Sequence, residues 1–581
     1  MVGYPRPARH TGARRGQGTT RRPVGVGDRG LQRASSSPYL RDGTPFRIDA
    51  VVFDFDGTLT QPGALDFVAI HEAVGCPRHI GLLEFLAEIA DPAERRLKEE
   101  ILHSAEMEAA ASCRANEGAG ESAAFLRDRG VPMAIITRNS REAVDSAFAN
   151  LPGIDPADFA VVVTRDLPLG PKPLPDGVRF VAEKLGVDVS RLLIIGDHAF
   201  DVEAGKRAGA LTVFLRNDPA ESQADGGADF VVGTLGQALE VIRFGLPLPA
   251  GKLSADLLGQ ALAGIVPGDP ALLVGAGIGE DAAALDIAED EVLVLASDPI
   301  TLAADSMARY AVLVNANDVA TSGATPRWLL STLLFPPGST ASEVLALVRD
   351  IQEACADCGV ALCGGHTEIS DAVSRPLVVG TMAGTASASA LLNKRRMREG
   401  DHILLTKRVA VEGTGLIARE YGARLRDAGW TAAEIAEAGA FLDRIGILEE
   451  ARIAGSFAGV TALHDVTEGG LATAVRELGA AGGRRLRLYL ERIPIYPETE
   501  RICATLGLDP LGLIGSGSLL ITCSPASAGP LAEAIRAAAI EVADIGELLE
   551  EGTGLEALRG GTPAEWPSFS GDEVSRLETS Y

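Results

Sequence analysis

The stretch from residue 51 to residue 60 constrains the fold more than any other part of the sequence. It reads Val-Val-Phe-Asp-Phe-Asp-Gly-Thr-Leu-Thr, an apolar strand that ends in Asp54 and Asp56 before a glycine turn. Like charges this close cost free energy unless a cation or a reacting phosphoryl group lies between them. Residues two apart on a strand share a face, so both carboxylates can address one phosphate. The alternative interpretation is a solvated exit from a strand into a turn.

Polar residues follow the later apolar runs in an order that suits the same chemistry. One run is followed by Thr137, a Gly-Pro-Lys-Pro loop contains Lys172, and another run precedes Asp197 and Asp201. A lysine can neutralise a phosphate, and carboxylate oxygens are ligands that Mg²⁺ prefers. A threonine after a strand is often a helix cap, and a single lysine is often solvated. Together, however, the four strand ends favour a phosphate site with Mg²⁺.

These residues resemble, in order and type, the motifs of the haloacid-dehalogenase (HAD) phosphohydrolases. The resemblance implies that Asp54 is the nucleophile and that Asp56 is the general acid and base. It implies that Thr137 donates a hydrogen bond to the phosphate and that Lys172 neutralises it. Mg²⁺ would be held by Asp54, the backbone carbonyl of Asp56 and Asp197. Asp201 would support this site or position Lys172.

A helical insertion at about residues 62–119 separates the first two motifs. Its apolar positions recur at three- and four-residue spacing, which indicates amphipathic helices. It resembles the small helical cap of phosphoglycolate-phosphatase-like HAD proteins, in which the cap selects the substrate. We therefore expect a small phosphorylated metabolite as substrate, of a kind that the cap sequence leaves open. His198 is interpreted as a structural loop residue.

A second ordered set of acidic strand ends follows the Pro/Gly-rich segment at residues 244–251. A glycine loop can bring backbone N–H groups close to phosphates, and ATP with Mg²⁺ needs many oxygen ligands. The alternative is a set of helix N-caps, for which Asp is favoured, but this explains only one or two of the residues. The candidate residues are Gly277, Gly279, Asp281, Asp298, Asp318, His366, Thr367, Glu368 and Asp465.

The order of these motifs over about residues 252–550 resembles one superfamily. Its members are aminoimidazole ribonucleotide (AIR) synthetase, selenophosphate synthetase, thiamine-monophosphate kinase and the hydrogenase-maturation dehydratase. The resemblance implies that the four aspartates bind Mg²⁺ and ATP, that residues 366–368 face the phosphates or a phosphoryl acceptor, and that two chains form a dimer. The chain ends in Leu-Glu-Thr-Ser-Tyr, without the terminal cysteine of the dehydratase, and no cysteine accompanies Lys252 as selenophosphate synthetase requires. The reaction of this half is left open.

Composition bounds the partners and the compartment. The net charge of −26 over 581 residues argues against nucleic acid or an anionic membrane as a partner. Residues 1–47 oppose this trend with ten arginines against two aspartates, and they are rich in Gly, Pro and Ser. They are predicted to form a disordered basic tail, with an organelle transit peptide as the alternative.

The sequence contains no apolar run long enough for a transmembrane span. Its seven cysteines, an odd number over a long chain, indicate a reducing cytoplasm. Cys355 and Cys358 form a lone Cys-x-x-Cys pair, which we interpret as small core residues rather than as a zinc or redox site.

The predicted fold class is α/β: a doubly wound HAD domain with a helical cap, followed by a two-part α+β AIR-synthase-like domain. Two functions compete. One is a bifunctional fusion of a Mg²⁺-dependent phosphatase and an ATP-dependent kinase or synthetase. The other is a phosphatase with a nucleotide-binding, dimerising regulatory module. The predicted boundaries are a tail at 1–45, the HAD-like domain at 46–245, the AIR-synthase-like parts at 252–395 and 396–555, and a tail at 556–581.

Overall fold

The computed structural model describes five segments of the chain, which are residues 37–217, 224–265, 268–279, 282–300 and 306–578. Most of the predicted basic tail at 1–45 lies outside the described residues. The same is true of Asp281, the predicted ligand in the glycine loop.

The first domain alternates strands and helices along the chain. Its elements are β1 (Ala50–Phe53), α1 (Phe67–Val74), α2 (Leu82–Glu88), α3 (Pro92–Ser112), α4 (Ala119–Asp128), β2 (Met133–Ile136), α5 (Arg141–Ala147), β3 (Phe159–Val163), α6 (Asp176–Leu185), β4 (Leu192–Gly196), α7 (Ala199–Ala208), β5 (Leu211–Leu215), β6 (Phe230–Val232) and α8 (Leu235–Gly245).

The strands of this domain form a parallel sheet in the order β3-β2-β1-β4-β5-β6. Every residue of β1, β2 and β4 is buried. Continuous apolar runs of this kind are typical of parallel strands that helices cover on both faces. Because parallel strands end at the same edge, the polar residues that follow β1, β2 and β4 meet there.

Helices α1 to α3 form a small cap with its own apolar core between β1 and β2. Ile70, Val74 and Leu86 are buried in that core. Asp66 accepts a hydrogen bond from Ala69 N at 3.0 Å and is the N-cap of α1. The predicted insertion at 62–119 contains these three helices, and its last residue is the first residue of α4, which packs against α8.

The middle domain contains a mixed sheet with helices on one face. Its elements are β7 (Gly251–Lys252), α9 (Ala255–Leu262), β8 (Leu272–Val274), β9 (Ala284–Leu285), β10 (Glu291–Ile300), α10 (Met307–Thr321), β11 (Thr325–Phe335), α11 (Ala341–Asp357), β12 (Ala361–Ile369) and β13 (Leu377–Ser387). The strand order of its main sheet is β10-β13-β11-β12-β7.

The two faces of this sheet differ in what covers them. Ile300 of β10 is buried on the side of α10 and α11. The opposite side, which we name the outer face, carries Leu293, Leu295 and Leu330 with exposed fractions of 40%, 63% and 40%. The register aligns Ser297 of β10 with Thr381 of β13, and Thr381 with Leu330 of β11. The outer face is therefore one continuous surface across three strands.

The third domain has a second mixed sheet in the order β15-β17-β14-β18-β16-β19-β20. Its elements are β14 (His402–Thr406), α12 (Val411–Glu420), α13 (Gly422–Asp427), α14 (Ala432–Gly439), α15 (Leu448–Gly455), β15 (Val460–Asp465), α16 (Gly470–Gly482), β16 (Arg484–Tyr489), α17 (Pro497–Leu506), β17 (Leu519–Cys523), α18 (Pro525–Ala537), β18 (Val542–Glu551), β19 (Leu555–Arg559), β20 (Thr562–Ala564) and α19 (Ser575–Glu578).

Short 3₁₀ helices connect several of these elements. They lie at Phe148–Asn150, Pro156–Asp158, Val189–Arg191, Lys394–Arg396, Ala440–Arg444, Leu490–Arg492 and Pro510–Gly512.

The predicted fold class is confirmed. A parallel sheet with helices on both faces is followed by two parts whose sheets are mixed. Cys355 is a buried free thiol, in agreement with its interpretation as a core residue, whereas its partner in the pair, Cys358, is only half-buried. Among the helices of the described segments, none has the length and apolar character needed to cross a bilayer.

Hydrogen bonds join the first domain to the middle domain beside the start of β1. Phe46 N donates to Ser342 Oγ, and Thr340 Oγ1 donates to the Phe46 carbonyl, both at 3.2 Å. Leu248 N donates to the Ser339 carbonyl at 2.8 Å, and α8 packs against α11. This contact lies at the edge of the parallel sheet opposite to the ends of β1, β2 and β4 that carry the polar residues.

We predict that Thr340→Ala lowers stability more than a matched helix-cap variant. Thr340 also accepts a hydrogen bond from Glu343 N, so the change removes both the N-cap of α11 and the bond to Phe46. Thr431 caps α14 in the same way at an exposed site, and Thr431→Ala should cost about 1 kcal/mol. Thr340→Ala should cost about 1 kcal/mol more. Calorimetric unfolding measures both, and equal effects would show that the interdomain bond contributes nothing.

Candidate active sites

The first candidate site lies where β1, β2 and β4 end. Asp54 and Asp56 follow β1, Thr137 follows β2, and Asp197 follows β4. Lys172 reaches the same place from the loop after β3. The structure thus brings together the residues that the sequence predicts for the phosphate site of the first domain.

Lys172 forms the central contact of this site. Its ammonium group donates to the Asp54 carboxylate, to Asp201 Oδ1 at 2.5 Å and to the Ile136 carbonyl at 2.8 Å. The side chain is buried. Burial alone would lower the pKa of Lys172, but Asp201 and Asp54 outweigh it and raise the pKa above its ordinary value. Lys172 is therefore a permanent cation between two carboxylates.

Three carboxylates of the site converge. Asp54, Asp197 and Asp201 each offer an oxygen within 4.8 Å of the others. Burial, followed by the neighbouring aspartates, raises the pKa of Asp197 to about 7, and burial also raises the pKa of Asp54. One lysine does not balance these charges, and oxygen ligands of this kind suit a hard divalent cation. The residues present therefore fit Mg²⁺.

Asp56 points to a different set of partners. Asn139 Nδ2 donates to its carboxylate at 3.2 Å, and Thr137 Oγ1 donates at 3.5 Å. Burial raises the pKa of Asp56, while these two hydrogen bonds oppose the shift. A raised pKa favours the protonated form that a general acid requires.

The turn after Asp56 requires a glycine. Gly57 adopts a φ of +80°, which L-residues with a side chain rarely adopt. A Cβ atom at this position would lie 2.0 Å from Asp197 Oδ2. The Gly57 carbonyl accepts hydrogen bonds from Asn116 at 3.2 Å and from Asn217 at 2.7 Å. Asn217 also donates to Asp197, so the turn and the carboxylate are held together.

A pocket of about 470 Å³ extends from these aspartates to the cap. Arg138 spans it, because its guanidinium donates to Glu84 of the cap at 2.6 Å and lies 5.2 Å from the ring centroid of Phe200. The cap therefore closes over the phosphate site through a charged contact.

His198 has a structural place beside this pocket. Its Nδ1 accepts a hydrogen bond from Phe200 N at 3.1 Å and caps the start of α7. Burial lowers the pKa of His198. These contacts favour the interpretation of His198 as a loop residue rather than as a catalytic one.

The second candidate site lies between the middle and third domains. Asp298 of β10, Asp318 of α10 and Asp465 at the end of β15 approach one another. Burial, a hydrogen bond with Asp298 and the charge of Asp465 raise the pKa of Asp318 to about 9. Burial is the largest of the effects that raise the pKa of Asp465 to about 6. Unlike Asp54, Asp197 and Asp201, these three carboxylates do not all place an oxygen within 4.8 Å of the others, so the cluster is looser than the one in the first domain.

A half-buried lysine, Lys394, accompanies this cluster. Burial lowers the pKa of Lys394, against the opposing charges of Asp465, Glu477 and Asp318. Burial and Lys394 lower the pKa of the neighbouring His464 to about 4. Lys394 was not among the residues predicted from the sequence, since it lies in a Lys-Arg-Arg run that resembles an ordinary solvated segment.

The remaining predicted residues of this half lie elsewhere. His366 and Glu368 contact each other at 3.2 Å and point to the outer face, while Thr367 points to the opposite side. Since Asp298 packs toward α10, the structure does not bring His366 and Glu368 to the acidic cluster within one chain. Gly277 and Gly279 lie in the loop between β8 and β9.

Comparison with protein families assigns both halves of the chain. Residues 48–209 match haloacid dehalogenase-like hydrolases. Residues 279–386 and 398–556 match the N-terminal and C-terminal domains of AIR synthase related proteins. The chain joins a HAD-like hydrolase domain to a pair of AIR synthase-related domains.

Curated relatives match one half or the other. Carbamoyl dehydratase HypE of Cupriavidus necator is 27% identical over 319 residues, which cover 52% of this chain and 86% of that protein. Selenide, water dikinase of Pelobacter propionicus is 28% identical over 336 residues, covering 52% and 93%. The uncharacterized hydrolase YOR131C of Saccharomyces cerevisiae is 29% identical over 171 residues, which cover 29% of this chain and 78% of that protein.

We predict that Lys172→Met destabilises the HAD-like domain in a pH-dependent way. Removing one partner of a buried ion pair costs about 3–5 kcal/mol. This cost should be present at pH 8 and smaller at pH 5, because the raised pKa of Asp54 lets its carboxylate take up a proton as the pH falls. The free energy of unfolding of the variant and of wild type, measured in EDTA at pH 5 and at pH 8, tests this prediction.

Lys206→Met provides the control for this variant. Lys206 pairs with Asp229 at 3.4 Å in a more exposed setting. Its loss should change stability by less than about 1 kcal/mol at both pH values. A Lys172→Met penalty that is the same at pH 5 and pH 8 would contradict the charge-balance argument.

Proposed function

We propose that the HAD-like domain is a Mg²⁺-dependent phosphatase that hydrolyses a small phosphate ester through an aspartyl-phosphate. The observation that carries the proposal is the contact of Lys172 with both Asp54 and Asp201 at the closed end of a capped pocket. A lysine in this position holds positive charge where a phosphate would replace water.

The residues act in two steps. Asp54 attacks phosphorus, the ester bond to the alcohol oxygen breaks, and Asp56 gives that oxygen a proton. Asp56 then takes a proton from water, whose oxygen attacks the same phosphorus and frees Asp54 and inorganic phosphate. Asn139 and Thr137 hold the Asp56 carboxylate in place through both steps.

Mg²⁺, when bound, would supply positive charge for the phosphoryl oxygens. Asp54, the backbone carbonyl of Asp56 and Asp197 would hold it. Asp201 contributes by positioning Lys172, to which it is bonded at 2.5 Å.

For the AIR synthase-related half we propose Mg²⁺-dependent ATP binding at Asp298, Asp318 and Asp465, and transfer of a phosphoryl group to an acceptor. The proposal is supported by the raised pKa values of Asp318 and Asp465, to both of which the charge of Asp298 contributes. The similarity to a selenide, water dikinase agrees with phosphoryl transfer from a nucleotide. We place the protein in the cytoplasm, which its free cysteines favour.

The outer face supports a homodimer. Leu293, Leu295 and Leu330 are exposed apolar residues on one face of a sheet, and monomers rarely leave a large apolar patch uncovered. A second copy of the chain would cover it, and sedimentation at micromolar concentration tests this.

The second candidate function is a regulatory one, in which the AIR synthase-related half binds nucleotide and dimerises without catalysis. The hydrogen-bonded contact between Phe46 and Thr340 favours it, because nucleotide binding in one half could then influence the other. ADP formation by residues 246–581 with candidate acceptors separates the two functions, and its absence would favour regulation.

We predict that Asp54→Asn abolishes hydrolysis of a generic aryl phosphate. The change removes the nucleophile at nearly constant volume, so activity should fall by several powers of ten, each worth about 1.4 kcal/mol. Asp145→Asn, at an exposed position of α5 that pairs with Arg141, is the control and should keep full activity. Activity of Asp54→Asn within tenfold of wild type, with Mg²⁺ present, would contradict the proposal.

We predict that Asp318→Ala weakens ATP binding only when Mg²⁺ is present. Without the cation, a carboxylate repels the phosphates, so its removal should not weaken binding in EDTA. Asp427→Ala, at the exposed end of α13, should bind ATP like wild type in both conditions. Calorimetric titration measures the affinities. If EDTA leaves the affinity of wild type unchanged, or if Asp318→Ala binds more tightly with Mg²⁺, these aspartates are not metal ligands.

A further inference from the structure

Glu106 of cap helix α3 is a buried carboxylate with one unused oxygen. Its exposed fraction is 3%. Oε1 accepts from Arg165 Nη1, whereas Oε2 has no hydrogen-bond partner in the part of the chain that the structure describes. An unsatisfied buried polar atom costs about 1–3 kcal/mol, and more when it is charged. Such an atom therefore calls for a partner that the chain itself does not supply.

Glu106 lines the same pocket as the catalytic aspartates. Its partner Arg165 follows β3, and Arg165 N donates to the Asn139 carbonyl at 3.1 Å. Asn139 in turn holds Asp56. Glu106 is thus tied, through two residues, to the group that protonates the leaving oxygen.

The arginines and the lysine that line the pocket each form an ion pair with a carboxylate. Arg78 pairs with Glu72 at 3.0 Å, and Arg138 pairs with Glu84 at 2.6 Å. Lys172 is held by two aspartates. The lining of the pocket therefore includes one carboxylate oxygen without a hydrogen-bond partner among the described residues, whereas its arginines and its lysine are paired, Arg78 in an exposed pair.

The rest of the cap side is mainly apolar. Leu65, Phe67, Ile80, Leu83 and Leu102 line it. At about 470 Å³ the pocket is in the range of small-molecule sites, so it accommodates an organic group beyond the phosphate.

We propose that Glu106 determines the substrate of the phosphatase by accepting a hydrogen bond from the organic part of the ester. The substrate class is then a phosphate monoester whose alcohol carries a second hydrogen-bond donor, a hydroxyl or an ammonium group. A phosphorylated carboxylic acid would place its negative charge beside Glu106 and is disfavoured. This inference rests on the proposed phosphatase function and specifies its substrate.

The test compares four esters that share a phosphate and differ in one group. They are propyl phosphate, 3-hydroxypropyl phosphate, 2-aminoethyl phosphate and phosphoglycolate. The wild type should have a higher kcat/KM for the hydroxyl or the ammonium ester than for propyl phosphate, and the lowest for phosphoglycolate. The two donor-bearing esters distinguish a neutral donor from a charged one.

Glu106→Gln should lower the ratio of kcat/KM for the preferred donor ester to that for propyl phosphate by about tenfold, because hydrogen bonds to charged groups are the stronger ones. Glu108→Gln, an exposed change on the same helix, is the matched control and should leave the ratio unchanged. The double variant Glu106→Leu/Arg165→Met removes both partners of the buried pair, so it avoids an unpaired charge, and it should lower the ratio further.

Four outcomes overturn the inference. One is a ratio that stays within threefold of wild type in both Glu106 variants, which would assign Glu106 a structural role. Another is a preference of the wild type for phosphoglycolate. A wild type that hydrolyses a generic aryl phosphate but shows no preference among the esters, or hydrolyses none of them, refutes this inference alone. One that hydrolyses neither the aryl phosphate nor the esters refutes the phosphatase function and this inference with it.

Discussion

The structure of the HAD-like domain depends on the placement of one cation among several buried carboxylates. Lys172 contacts Asp54 and Asp201 directly, and Asp197 lies in the same cluster. Burial raises the free energy of every ionised carboxylate, so the site is stable only when positive charge enters with it. The surrounding parallel sheet provides the rigid edge on which these side chains are held at fixed separations.

The AIR synthase-related half also brings several carboxylates together, but the cation beside them offsets their charge less well. Asp298, Asp318 and Asp465 influence one another's charge, and Lys394 beside them is half-buried with a lowered pKa. Its charge is thus less well stabilised than that of Lys172, whose pKa is raised. The two sites therefore differ in how well the positive charge that the chain itself supplies is stabilised.

The site residues that come directly after a strand could be predicted from the sequence. Asp54, Thr137 and Asp197 each come after an apolar run, and parallel strands end together, so their convergence could be predicted. Loops and the cap bring further residues to the first site, namely Asn116, Asn217 and Glu106. The sequence around these residues has no pattern from which their place in the site could be predicted. His366 and Glu368 show a different limit. A register shift at Leu329 and Leu330 affects how β12 pairs with β11, and the face that a strand residue occupies changes with a single residue of slip.

The contact between Phe46 and Thr340 determines where the capped pocket lies relative to the AIR synthase-related half. It attaches the AIR synthase-related half to the side of the parallel sheet where β1 begins, while the capped pocket opens where β1 ends. The contact between the two halves therefore lies away from cap helices α1 to α3. A movement of the cap that opens the pocket does not require the contact between Phe46 and Thr340 to break. Under the proposed phosphatase function, an alcohol or phosphate would be released at the opposite end of β1 from the AIR synthase-related half. What the fusion guarantees is equal copy number of the two halves rather than a protected route between them.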